Sequence, residues 1–131
     1  MNSAMSAELE NLLPDFEVIL PQEKGEELTG DADFFAKTFE YCIGGLDRCD
    51  CVVAMLEGPD ADSGTCVEIG YAYARGVPVI GVRTDFRSSE DRGLNLMASM
   101  VCAELIWEPG ESSVEELAAK TARAVRAVMN E

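Results

Sequence analysis

The chain of 131 residues contains no histidine. That absence excludes serine–histidine triads and every histidine-ligated metal site. Acid–base or nucleophilic chemistry is left to carboxylates, cysteines, tyrosines and lysines. Basic residues are scarce too: 10 Lys and Arg stand against 25 Asp and Glu, a net charge of −15. Such a surface repels a phosphate backbone and an anionic bilayer, so neither nucleic acid nor membrane is an expected partner. The acidic excess suits a salt-rich cytosol or serves solubility. No apolar run approaches the roughly 20 residues that span a bilayer. The opening MNSAMSAELENLL has no basic n-region and no apolar h-region, unlike a secretory signal. The five cysteines (Cys42, Cys49, Cys51, Cys66, Cys102) are odd in number and lack CxxC spacing. This argues against a disulfide framework or zinc ribbon and for a reducing cytoplasm. Cys49 and Cys51, flanking Asp50, read as small buried hydrophobes. Neither metal nor cofactor is expected.

What is present is an alternation of helical and strand periods over one domain, 1–131, with no linker or repeat. Residues 4–13 read as a helix stopped by Pro14, and FEVIL at 16–20 as a strand. A polar loop leads to a helix over 33–48 with a weak point at Gly44–Gly45. CVVAML at 51–56 reads as a strand buried on both faces. A helix over 66–75 follows, capped by Gly76, then the strand VPVIGV at 77–82. A short apolar helix is expected near 94–102, a last strand at 104–107, and a last helix over 112–129 capped by Ser112 or Ser113. The pattern predicts an α/β fold, a parallel sheet covered by helices on both faces. Open α/β sheets normally begin with a strand, whereas this order begins with a helix, so a first strand is expected upstream of Met1.

The chemistry concentrates between Asp50 and Arg87, where a strand, the loop PDADSGT, a helix and a second strand follow one another. Ligands of open parallel sheets bind where such loops leave the carboxyl ends of strands. Gly64 lets the backbone approach a ligand closely, and helix N-terminal amides face the same space. Glu68 lies three residues after Thr65. This is the spacing of a capping box, in which Glu68 would only bond back to the Thr65 backbone; the alternative aims its carboxylate at a substrate. Asp62 is either a solvated turn aspartate or a ligand contact.

These residues resemble the nucleoside 2-deoxyribosyltransferase family. The family's loop-to-helix segment runs D-x-G-x-x-x-E-x-G-x-A, and Asp62, Gly64, Glu68, Gly70 and Ala72 match it with unbroken spacing. LDRCDCVVAML at 46–56 resembles the strand before the loop, and LNLMASM at 94–100 the asparagine-leucine-methionine segment. The resemblance implies a flavodoxin-like or Rossmann-like three-layer sandwich. It also implies transfer of a 2-deoxyribosyl group between nucleobases, with deoxynucleosides and free bases as small-molecule partners. The Glu68 carboxylate would attack C1′ and form a glycosyl ester that a second base displaces, the logic of retaining glycosidases. Asp62, Ser63 and Gly64 would hold the substrate. Asn95 and Met97 would reach the sugar's 5′ end from a neighbouring subunit, which requires a dimer or higher homo-oligomer. LNLM on an apolar helix also has an ordinary reading as core packing.

Two departures stand out. Many members have an aspartate, thought to help protonate the leaving base, where this chain has Cys42. A thiol with a pKa near 8.5 is a weak proton donor. The first strand is internal in the family's 2-1-3-4-5 sheet, so its absence would open a gap between residues 16–20 and 51–56. Rival readings are a deoxynucleoside 5′-monophosphate N-glycosidase using the same glutamate, a phosphoribohydrolase whose loop SGTCVE matches only in part, and a non-catalytic binding module. Elsewhere, Tyr71 and Tyr73 cannot share one helix face, Arg83, Asp85 and Arg87 suggest salt bridges, Arg123 and Arg126 a solvated face, and Trp107 core or interface.

Overall fold

In a computed structural model, the described residues are 3–18, 33–56, 63–84, 96–107 and 113–130. They form helix α1 (Ser3–Leu12), α2 (Phe34–Arg48), strand β1 (Val52–Met55), α3 (Ser63–Ala74), β2 (Val79–Arg83), α4 (Leu96–Met100), β3 (Glu104–Trp107) and α5 (Val114–Met129). The strands pair in parallel in the order β1-β2-β3, with Val53 opposite Ile80 and Val82 opposite Ile106. Every residue of β2 is buried, as an apolar VIGV run in a central parallel strand should be, whereas β1 and β3 are partly open. The architecture is a Rossmann-like α/β sandwich: α1 and α5 cover one face, α3 and α4 the other.

Local chemistry explains most boundaries. Pro14 ends α1, whose last turn closes with Leu13 N donating to Leu9 O at 2.8 Å. The α3 terminus is a Schellman motif: Gly76 takes φ +77°, its N–H bonds Tyr73 O and the Val77 N–H bonds Ala72 O. Of the two serines before α5, Ser113 is the cap, its Oγ accepting from Glu116 N at 3.1 Å. Glu115 and Glu116 in the first turn and Arg126 in the last complement that helix's dipole.

Three expectations need correction. The helix over 33–48 runs straight through Gly44–Gly45 without a break; its buried Leu46 anchors it to the core just beyond the glycine pair. Residues 16–18 of the expected strand FEVIL are not extended in a sheet, and 19–20 lie outside the described residues. The helix after the PDADSGT loop starts at Ser63, three residues earlier than expected.

Two cores hold the layers. One joins Met5, Leu9 and Leu13 to Ile80, Val82 and Ile106 and to Leu117 and Val125 of α5. The other joins Ala54 and Leu56 to Ile69 and Ala72 of α3, with Val79 and Ala98. Arg126 fastens α5 to the turn after α1. Its Nη2 bonds Asp15 Oδ1 at 3.0 Å and Leu12 O at 3.3 Å, and its guanidinium lies over the Phe16 ring. The expected solvated face therefore carries a clamp, although an exposed one.

Candidate active site along the open edge of β1

Strand β1 is bonded to β2 on one side, with Val52 N donating to Pro78 O and Leu56 N to Val82 O. By the two-residue period, the main-chain groups of Val53 and Met55 point the other way, where no described strand pairs with them. A cavity of about 760 Å³ runs along that edge. Asp15, Phe16, Glu17 and Val18 line its far side. On the α1/α5 side the walls are apolar, from Leu9, Leu13, Val125 and Met129. On the α2/α3 side they are polar, from Thr38, Cys42, Thr65 and Glu68.

The placement of Glu68 bears on its two sequence readings. A capping box needs Thr65 at the N-cap, but α3 begins at Ser63, so Thr65 is already its third residue. Glu68 therefore stands in the second turn of α3, half-buried, with its neighbour Ile69 in the core and its own side chain on the cavity wall. Helices α2 and α3 run side by side in the same direction. The Tyr71 hydroxyl donates to Asp47 Oδ1 at 2.6 Å, and Arg75 Nε bridges the same oxygen at 3.2 Å. That pairing at one end sets Cys42 opposite Glu68 further along.

The electrostatics record this proximity. Burial first, and then the negative charge of Glu68, push the Cys42 thiol above its ordinary value. A thiol so placed keeps its proton at neutral pH. Thr38, one turn before Cys42, lines the same cavity, and its Oγ1 is buried with no hydrogen-bond partner among the described residues. Sequence reasoning passed over Thr38; its one available signal was the four-residue spacing to Cys42 on a single helix face.

The remaining expected residues fall as follows. Ser63 and Gly64 form the first turn of α3, and Gly64 is exposed. Asp62 and Asn95 lie outside the described residues, as do Asp85 and Arg87. Met97 is 72 % exposed on α4 rather than packed in the core. Arg83 ends β2 at 1 % exposure instead of following the strand, and its Nη1 donates to the Leu56 carbonyl at 2.7 Å. The Tyr71 hydroxyl is occupied by Asp47, and Tyr73 points outward at 61 % exposure. Trp107 sits on the edge strand β3, partly exposed. Cys51 packs against the first core; burial pushes it up to about 11, and Cys102 equally. All five cysteines are free, and Cys49 and Cys51, expected to be buried, are only half-buried. Among the described residues no helix is long and apolar enough to cross a membrane.

Comparisons with known proteins bear on family and fold. The family model of nucleoside 2-deoxyribosyltransferases matches residues 1–97, a span that includes the cavity's polar wall and every site residue named above. An uncharacterised protein of Schizosaccharomyces pombe is 40 % identical over 70 residues, which are 50 % of this chain and 33 % of that relative's length. A conserved protein from Enterococcus faecalis V583, known from its crystal structure, superposes with a TM-score of 0.66. The superposition covers 94 % of this chain and 87 % of that one, at 23 % identity, and establishes the shared fold.

Proposed function

The chain belongs to the nucleoside 2-deoxyribosyltransferase family, and from that premise we propose that it exchanges nucleobases on 2-deoxyribose by double displacement at Glu68. A Glu68 carboxylate oxygen attacks C1′ of a deoxynucleoside. The C1′–N bond breaks, and its electron pair leaves with the base, which takes up a proton. The resulting glycosyl ester is attacked at C1′ by a nitrogen of the second base, which loses a proton as the carboxylate departs. Two inversions restore the starting configuration. The absent 2′-hydroxyl eases the oxocarbenium-like transition state, so a carboxylate suffices as nucleophile.

The observation that carries this reading is the position of Glu68: out of the cap, in the second turn of α3, on the polar wall of the cavity. Half-burial keeps water from fully solvating the carboxylate. The protonated Cys42 supplies a hydrogen-bond donor beside it, but with its pKa raised it is a poor general acid. Proton delivery to the leaving base then falls to water or to a ligand-bound group, and slow departure of unprotonated bases follows. Asp62, which precedes α3, and Ser63 and Gly64, in its first turn, hold the sugar. Asn95 and Met97 complete the site of a neighbouring copy, a role that the exposure of Met97 supports. The active form is thus a cytoplasmic homo-oligomer of single-domain subunits.

The test is incubation with deoxyinosine and adenine, beside a Glu68→Ala variant, with products separated by chromatography. Deoxyadenosine should appear with the wild-type chain and fall by at least about 1000-fold in the variant. Free hypoxanthine without deoxyadenosine would replace transfer by hydrolysis. Binding without turnover in both chains would make this a non-catalytic module.

A further inference from the structure

Of the described strands, β1 and β3 lie outermost, and the proposed reaction uses only the β1 edge. At the other edge, the Ala103 N–H donates to Val79 O at 2.8 Å. By the two-residue period, Leu105 and Trp107 also turn their main-chain groups toward β2. Those of Glu104 and Ile106 point away from the sheet, where no described strand pairs with them. A shallow groove of about 530 Å³ runs between this edge and α5. Glu104 and Trp107 line it from β3, and Lys120, Arg123, Ala124 and Ala127 from α5.

Proteins usually guard such an edge with lysines, a proline or a covering element. The side chains of β3 invite contact instead. Leu105 and Trp107 point to the α3/α4 face, where Leu105 reaches Gly81, yet they stay 39 % and 40 % exposed, with exposed Ala103 beside them. Ile106 points the other way, into the α1/α5 core, and the exposed Glu104 shares its face. Charge decides what the edge can take. A net charge of −15 makes two copies of this chain repel wherever their acidic surfaces meet. In the β3–α5 groove, however, one carboxylate sits with two cations. It can accept the carboxylate of a second copy while offering its own.

We infer that β3 is a self-pairing edge, through which two copies of this chain join their sheets into one. A two-fold axis makes the pairing antiparallel and isologous. Opposed residues must share a face, and the outward main-chain groups belong to Glu104 and Ile106, so the register is fixed. Leu105 meets its own copy on the axis, and Glu104 meets Ile106 of the second copy, exchanging both N–H···O bonds. On one face the two Leu105 side chains touch, flanked by Trp107 against Ala103 of the second copy. On the other, Glu104 comes under Lys120 and Arg123 of the second copy, and the small Ala124 and Ala127 let the α5 helices approach. This surface is separate from that of Met97 on α4, and it does not rest on the deoxyribosyl chemistry.

The experiment is the mass of the full chain by light scattering over a concentration series. Leu105→Lys, which sets two ammonium groups side by side on the axis, and Glu104→Lys, which removes the charge match, are run beside it. The wild type should be an even-numbered oligomer, and Leu105→Lys should halve its mass. Glu104→Lys should raise the dissociation constant about tenfold. Leu105→Cys should give a disulfide-linked dimer on mild oxidation, because opposed residues without mutual hydrogen bonds lie about 4.5 Å apart at Cα, within disulfide reach. Glu104→Cys, opposed to an isoleucine, should give no more cross-linking than the wild type with its five cysteines. A wild-type monomer at every concentration would overturn the inference, whether the edge is closed by this chain or kept for another protein. An unchanged mass in Leu105→Lys would overturn it too. Should that variant fail to fold by circular dichroism, equal cross-linking of Leu105→Cys and Glu104→Cys does the same.

Discussion

Thr121 and Thr38 are helical threonines on opposite sides of one sheet, and their hydroxyls have opposite fates. On α5, Thr121 is fully buried, and its Oγ1 donates to Leu117 O at 2.8 Å. On α2, the buried Oγ1 of Thr38 has no partner among the described residues, and the same is true of two nitrogens of Arg83 at the end of β2. The α1/α5 side is where this chain pays for its fold: ten buried residues interlock and the hydroxyl among them is satisfied. On the α2/α3/α4 side the core is smaller, and these polar atoms have no partner among the described residues. Buried polar groups are normally paired, so Thr38 and Arg83 stand out among the described residues of that side.

The contrast is broken most forcefully by exchanging the effects of two substitutions. Glu68→Gln should cost at least about 1000-fold in turnover yet shift stability by less than about 1 kcal/mol, since its side chain lies on a cavity wall. Leu117→Ala, deep in the first core, should cost about 2–5 kcal/mol in denaturant unfolding. The fraction that remains folded should keep its turnover. Comparable stability losses in the two variants would mean that the sides do not divide the labour.

Gly81 sharpens the comparison at the next magnitude. It points to the α3/α4 side, where an added Cβ would lie 2.8 Å from both Cys102 Sγ and Leu56 Cδ1 and 3.0 Å from Leu105 Cδ1. Gly81→Ala should therefore destabilise by about 1–3 kcal/mol through overpacking. The side that holds Arg83 and Thr38 has no room at its centre, so it is not loosely packed there. An alanine that raised the melting temperature would contradict this.

The fold was legible where one residue type dictates one conformation. Pro14, Gly76 and Ser113 set boundaries by sterics or capping, and apolar runs signalled the strands at 51–56 and 77–82, although β1, expected to be buried on both faces, is partly open and only β2 is buried throughout. Legibility failed where tertiary contacts override local preference. Gly44–Gly45 lowers helix propensity, yet Leu46 anchors α2 through it. Glu68 could be read as cap or nucleophile because T-x-x-E spacing carries no information on where the helix begins; α3 begins at Ser63, two residues before Thr65. Arg83 read as a partner in surface salt bridges because sequence period alone does not place a strand's last residue inside or outside the sheet. Thr38 and Cys42 could be put on one helix face, but not opposite Glu68, without the α2–α3 pairing at Asp47.

The smallest effect tests the comparison most directly, because it asks the two threonines the same question. Valine has nearly the volume and helix propensity of threonine, so Thr→Val removes the hydroxyl and little else. At Thr121 the change deletes a satisfied bond and should cost about 0.5–1.5 kcal/mol. At Thr38 it deletes a buried polar atom with no partner among the described residues, and stability should hold or rise by up to about 1 kcal/mol. Because Thr38 lines the cavity with Glu68, its valine variant should instead weaken substrate binding, seen as a raised KM with kcat little changed. Denaturant unfolding of the two variants in parallel reads the sign difference. Equal losses would show that Thr38 is satisfied by bound water in solution, and that the unpaired hydroxyl is no guide to the ligand.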